Sequence, residues 1–279
     1  MPFQRLLVPS SGGFSLPMDA YIPEITDQID ADVCRPTVVI FPGGGYVRLS
    51  AREAEPVALN FAAAGFNAFV VWNRVAPHRY PLPQQDAAAA VAYIRAHAAE
   101  THSDPNAIAV LGFSAGAHVA GSLAVLWPQE ELWASMGLTP AQVQPNAAVL
   151  CYPVITAGEH AHRGSFEALT GSSDIAEHLP YSLETKVTAK TPPTFLWHTW
   201  DDAAVPVENT LLFAAALKAH GVRAEVHIFP HGDHGSALCV PQTSGPKNAR
   251  FNLPDCAEWP RLAQHFLAGQ CPAPIVAHG

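Results

Sequence analysis

The pentapeptide Gly112-Phe113-Ser114-Ala115-Gly116 separates two segments of opposite character. Ala107 to Leu111, before it, is a short apolar run that reads as a buried strand. His118 to Leu126, after it, reads as a helix. A chain that leaves a strand and enters a helix this quickly must turn sharply, and larger side chains would crowd such a turn. Gly112 and Gly116 relieve that crowding. The hydroxyl of Ser114 is then held at the carboxyl end of a strand, over a helix N-terminus whose free N–H groups favour negative charge. In this context Gly-x-Ser-x-Gly reads as a nucleophile elbow.

The elbow calls for a sheet with helices around it, and the rest of the chain supplies both. Thr37 to Phe41, Ala68 to Trp72, Ala147 to Tyr152, Thr194 to His198 and Ala224 to Phe229 read as strands. Glu53 to Ala64, Gln85 to Ala99, Val207 to His220 and Trp259 to Ala268 read as helices between or after them. This alternation predicts an α/β fold, a mostly parallel central sheet with helices on both faces. Phe3 to Ile22 reads as antiparallel strands leading into it. Residues 1–279 are expected to form one domain, because no composition shift marks a boundary and 49% hydrophobic residues can fill a large core. The irregular stretch 156–191, rich in His, Ser, Gly and Thr, is expected to cap one end of the sheet.

A net charge of −9 and the lack of any Lys/Arg block argue against nucleic-acid or anionic-membrane partners. No apolar run reaches the about 18 residues of a membrane helix. The first residues lack a signal peptide's apolar stretch, so the expected location is the cytoplasm; a chain trimmed of an export signal would read the same. Five widely spaced cysteines, Cys34, Cys151, Cys239, Cys256 and Cys271, contain no C-x-x-C. They predict neither a disulfide framework nor a zinc ribbon, though a Cys239–Cys256 bridge stays open for a secreted chain.

A serine needs a base to take its proton and a carboxylate to orient that base. Such groups gather beyond the carboxyl ends of the strands. After the strand ending at His198 come Asp201 and Asp202; we select Asp202, with Asp201 as a loop carboxylate. After the last strand come His231 and His234; we select His234 as the base. His231-x-Asp233-His234 has metal-ligand residue types, but no second cluster accompanies it, and no metal is expected. Gly43-Gly44-Gly45, directly after an early strand, offers backbone N–H groups to an oxyanion, with the N–H of Ala115 as a further donor. The glycines lack the Gly-Lys-Ser/Thr and Gly-x-Gly-x-x-Gly continuations of phosphate-binding loops.

Together these motifs resemble the α/β-hydrolase superfamily, and within it the esterase/lipase group. The greatest likeness is to small bacterial acetyl esterases and acetylxylan esterases. The order Ser114, Asp202, His234 matches the superfamily. Pro42-Gly43-Gly44-Gly45-Tyr46 stands where many members have His-Gly-Gly-Gly. The likeness continues through Leu49 to Ala58, Tyr80-Pro81, Asp86, Thr191 to Thr199 and Val205 to Asn209. It implies that Gly44 and Gly45 donate to the oxyanion, that the second aspartate of the pair serves the triad, and that Asp86 is structural. Ala203 departs from a proline common at that position.

The resemblance implies a serine carboxylic-ester hydrolase without a cofactor, releasing short acyl groups, acetyl above all, from acetylated sugars or small esters. Tyr46, Trp200 and the 156–191 segment are the substrate-facing expectation, with ordinary packing as the alternative. An amidase, formamidase or prolyl-oligopeptidase-type peptidase would use the same scaffold, and a non-catalytic ligand-binding homologue is a further alternative. A homo-oligomer is left open.

Overall fold

The computed structural model describes residues 3–26, 28 and 33–270; Cys271 lies outside them. Among the described residues, strands β1 (Phe3–Pro9), β2 (Ser15–Tyr21), β3 (Arg35–Phe41), β4 (Asn67–Val71), β5 (Ser103–Phe113), β6 (Ala147–Cys151), β7 (Thr194–Thr199) and β8 (Ala224–Phe229) form one sheet. Their spatial order is β1-β2-β4-β3-β5-β6-β7-β8. β1 and β2 pair antiparallel and β2 joins β4 antiparallel, while every pairing from β4 to β8 is parallel.

Helices of eight residues or more are α1 (Glu55–Ala63), α2 (Leu82–Ala96), α3 (Ala115–Leu126), α4 (Arg163–Thr170), α5 (Glu208–Ala219) and α6 (Trp259–Gln270). Successive strand residues point to opposite faces, so each central strand feeds two cores. Val39, Phe41, Ile108, Val110, Leu150 and Leu196 pack with α2, α3 and α5. Val38, Ile40, Leu111, Phe113, Val149 and Trp197 pack with α1 and α6. The indole of Trp259 on α6 stacks on that of Trp197, with ring centroids 5.5 Å apart.

The parallel register places the carboxyl ends of the strands at one rim. Phe41 pairs with Gly112, Phe113 with Cys151, and Cys151 with Trp197. Segment 156–191 carries α4 and three short turns. Phe166 on α4 joins Val154, Ala157 and Val205 in a small apolar cluster beside that rim.

Some expected boundaries shift. β5 runs from Ser103 to Phe113, longer than the Ala107 to Leu111 run. Tyr152 lies just past β6, at φ +36°. α1 begins at Glu55, because Ala54 is non-helical at φ −105°, ψ −107°, and a separate turn, Ala51–Glu53, precedes it. Asp86, on the first turns of α2, accepts bonds from the Arg74 backbone and guanidinium and from Ser10, which anchors the segment after β4. Cys34, Cys151, Cys239 and Cys256 are free thiols, so the bridge left open for Cys239 and Cys256 is not formed. No helix among the described residues is long and apolar enough to cross a membrane.

Candidate active site

Ser114 sits at the junction of β5 and α3 with φ +54° and ψ −121°. Few L-residues adopt that conformation, which costs about 1–3 kcal/mol, so the surroundings must enforce it. They do so through main-chain bonds. The Ser114 N–H donates to the Cys151 carbonyl at 3.0 Å, and its own carbonyl accepts from Val154 at 3.1 Å. Cys151 ends β6 and Val154 follows in the loop just past it, so the neighbouring strand and its exit clamp the turn. A Cβ on Gly116 would strike the Phe41 carbonyl, which is how closely the turn approaches β3.

Three distant segments meet at Ser114. Its Oγ lies 2.7 Å from His234 Nε2. His234 Nδ1 lies 2.7 Å from Asp202 Oδ2. The carboxylate fixes the tautomer: Nδ1–H donates to Asp202, leaving Nε2 to accept the serine proton. Asp202 is itself held on every side. Oδ1 accepts the N–H groups of Ala204 at 2.9 Å and Val205 at 3.0 Å. Oδ2 also accepts from His198 Nε2 at 3.2 Å. Burial pushes the Asp202 carboxyl up, but the bonds from His198 and His234, the nearby imidazole and the Val205 N–H outweigh it. Its pKa ends far below the usual carboxylate range. The sign follows: Asp202 stays ionised across neutral and mildly acidic pH, and its stabilising contribution is lost only as pH falls below the ordinary carboxylate value.

The competing pair is elsewhere. Asp201 accepts from His231 Nδ1 at 2.9 Å and from the Gly232 N–H at 2.8 Å, and both side chains are solvent-exposed. Adjacent aspartates thus face opposite ways, one toward the serine and one toward water.

Beside the serine, the glycine loop follows β3. Gly43 N–H is already bound, donating to Glu53 Oε2 at 2.8 Å. Among the described residues, no loop or side-chain acceptor engages the N–H groups of Gly44, Gly45 or Ala115. Gly44 and Gly45 have φ +136° and +67°, and a Cβ on Gly44 would strike the Arg48 carbonyl. Tyr46 is buried, with its hydroxyl 2.7 Å from His118 Nδ1 and accepting from Gln84 at 3.2 Å. That hydroxyl braces the loop from beneath and is not presented to solvent. Trp200 stands 63% exposed two residues before Asp202.

The family model BD-FAE matches residues 18–217, well over half of the chain. The chain belongs to the BD-FAE family. Among curated relatives, this BD-FAE chain is 38% identical over 223 residues to endo-1,4-beta-xylanase B of Butyrivibrio fibrisolvens, covering 77% of the chain and 35% of that protein. It is 30% identical over 205 residues to an acetylxylan esterase of Xylanibacter ruminicola, covering 71% and 40%. The chain therefore spans well under half the length of either curated relative. Among solved structures, an acetyl ester-xyloside bifunctional hydrolase from Caldicellulosiruptor lactoaceticus is 39% identical with a TM-score of 0.76, over 93% of this chain and 89% of that one. The BD-FAE chain thus has the α/β-hydrolase fold of esterase relatives.

Several site residues of this BD-FAE chain escaped the sequence reading. His198 looks like an ordinary strand residue, yet it is fully buried against Asp202. Its Nε2 approaches two acceptors, Asp202 and the Val205 carbonyl, so it carries the proton, and Nδ1 accepts from Thr210. His162 caps α4, its Nδ1 accepting from the Ser165 N–H at 3.3 Å. Burial lowers its pKa, as does His234, while Asp202 opposes them. Glu53 was read as the start of a helix inside the family-like stretch Leu49 to Ala58, with no role of its own; its side chain is buried behind the glycine loop. Among the described residues no group of three or more His, Cys, Asp or Glu is arranged to hold a metal.

Proposed function

We propose that this chain is a serine carboxylic-ester hydrolase that removes short acyl groups, acetyl above all, from acetylated xylo-oligosaccharides or small esters. The observation that carries the reading is the pair of 2.7 Å contacts joining Ser114, His234 and Asp202, set beside unengaged backbone N–H groups. The similarity to a xylanase, an acetylxylan esterase and an acetyl ester-xyloside hydrolase supports the substrate class.

In this mechanism Ser114 Oγ attacks the ester carbonyl carbon while its proton passes to His234 Nε2. The carbonyl oxygen becomes an oxyanion, met by the N–H groups of Gly44, Gly45 and Ala115 and by the N-terminus of α3. Asp202 holds the imidazole and stabilises its cationic form. The proton then passes from Nε2 to the leaving alcohol, and an acyl-Ser114 remains. Water repeats the attack, and acid and Ser114 are released. Segment 156–191 is the side wall of the substrate site in this reading, since a Cβ on Gly45 would come within 3.9 Å of the Ser165 hydroxyl on α4.

Gly44→Ala is expected to lower kcat by about 10²–10³-fold with a smaller change in KM, because the loop must retreat from Arg48 and take a donor with it. Steady-state kinetics on a chromogenic acetyl ester would show it; an unchanged kcat would remove Gly44 from the oxyanion site. The substrate class is tested by acetate release from a panel of acetylated xylo-oligosaccharides, other acetylated sugars and matched N-acetyl amides. Preference for the xylo-esters is expected. Faster release from the amides would move the chain to the amidases.

A further inference from the structure

Glu53 is 2% exposed and lies in none of the segments that carry the triad. Its two oxygens take two different donors. Oε2 accepts the Gly43 N–H at 2.8 Å, and Oε1 accepts the Tyr152 hydroxyl at 2.8 Å. The same Tyr152 oxygen accepts the Ala237 N–H at 2.9 Å, three residues beyond His234. The Tyr152 ring also packs edge-on against the His234 imidazole, with centroids 5.0 Å apart. One carboxylate therefore ties the glycine loop to the histidine loop through a single phenol. The donors also specify its charge. The Tyr152 proton has only Glu53 among its contacts to receive it, and the Gly43 N–H takes the other oxygen. A carboxyl proton would have no acceptor left, so the ionised form fits.

Burying an ion is costly unless it is bonded and useful, and a hydrophobic side chain would fill this space more cheaply. We propose that Glu53 is a positioning residue for acyl transfer: it holds the glycine loop and the histidine loop in register, and its buried negative charge favours the cationic imidazole of His234. The role rests on the esterase reading above, but its electrostatic part does not depend on turnover.

Burial holds the Glu53 carboxyl above its ordinary value, and the bonds from Tyr152 and Gly43, with His234 and Arg52 nearby, offset only part of that rise, so it is the hydrogen-bond pattern that argues for the ionised form. The charged and titratable groups around His234 are Tyr152 after β6, Asp202 after β7, Glu53 and Arg52 before α1, His162 at the start of α4, and His231 and Asp233 on its own loop. Asp202 bonds to Nδ1 directly, so the effect of Glu53 adds to a larger one.

Glu53→Gln keeps the size of the side chain and removes its charge. His234 protonation would be followed by NMR through its ring Cε1–H resonance, beside the pH profile of kcat/KM for p-nitrophenyl acetate. The variant is expected to bind a proton at His234 about three- to tenfold more weakly, moving the acid limb of kcat/KM to lower pH. Its kcat should fall about 10–100-fold with KM within about twofold. A folded variant whose His234 titration and kcat both match the wild type overturns the proposal. So does one that is merely less heat-stable with both readouts unchanged. Should Glu53→Gln fail to fold, Tyr152→Phe cuts the same link and leaves the carboxylate. It should lower kcat while moving the His234 titration less, and an unchanged kcat overturns the proposal. A wild type without ester turnover would sink the esterase reading instead, and the NMR titration would still report on Glu53.

Discussion

Ser114→Ala is expected to lower kcat on an acetyl ester by about 10⁵–10⁶-fold while leaving the fold in place. The expectation separates chemistry from architecture. The hydroxyl makes one side-chain contact, to His234 Nε2, whereas the strained turn is held by main-chain bonds to Cys151 and Val154. Alanine at φ +54° is strained to a similar degree as serine, so the clamp is unaffected. The melting temperature should stay within a few degrees of the wild type. Residual turnover would come from the oxyanion donors acting on a bound ester with water as nucleophile. Activity near the wild type in a well-folded variant would remove the assignment of the nucleophile.

Asp202→Asn should lower kcat by about 10⁴-fold, and Asp201→Asn by less than about fivefold. An amide cannot satisfy the surroundings of Asp202 in either orientation. With its oxygen toward His234 and His198, its NH2 faces the N–H groups of Ala204 and Val205, donor against donor. With the amide turned over, the NH2 faces the two histidines. His234 must then accept on Nδ1, carry its proton on Nε2, and lose the ability to take the serine proton. Asp201 pairs with His231 in solvent, where water and salt screen such a contact and it contributes little. Parallel kinetics on the two variants check the ranking, and the reverse order would transfer the orienting role to Asp201.

How much of this was legible beforehand depended on how local each signal is. The elbow is local: strand, glycines and helix follow one another without a break between Ala107 and Leu126, so its sequence context was sufficient to locate it. The glycine loop and the residues after β7 and β8 were legible because topology sends their carboxyl ends to one rim. The choice between Asp201 and Asp202 was harder, since adjacent residues share any spacing argument. What separates them is that one side chain turns inward to two backbone N–H groups and the other does not. Glu53 was illegible for a related reason. Its partners lie 10 and 99 positions away, and a glutamate before a helix ordinarily reads as a favourable first-turn charge. Tyr46 sits next to the glycines, but adjacency in sequence does not reveal that its hydroxyl turns down toward His118 and Gln84. Burial holds that histidine at about 4, so it is neutral at physiological pH and belongs to the packing beneath the loop.

The central claim is that one serine, activated across the sheet by an imidazole, carries the acyl group. Treating the protein with an organophosphate and mapping the adduct by peptide mass spectrometry tests it most directly. One phosphoryl group per chain is expected, on Ser114, appearing in step with loss of acetyl-ester turnover and absent from the His234→Ala variant. Full inactivation with the label on another residue, or full labelling with turnover intact, would contradict it.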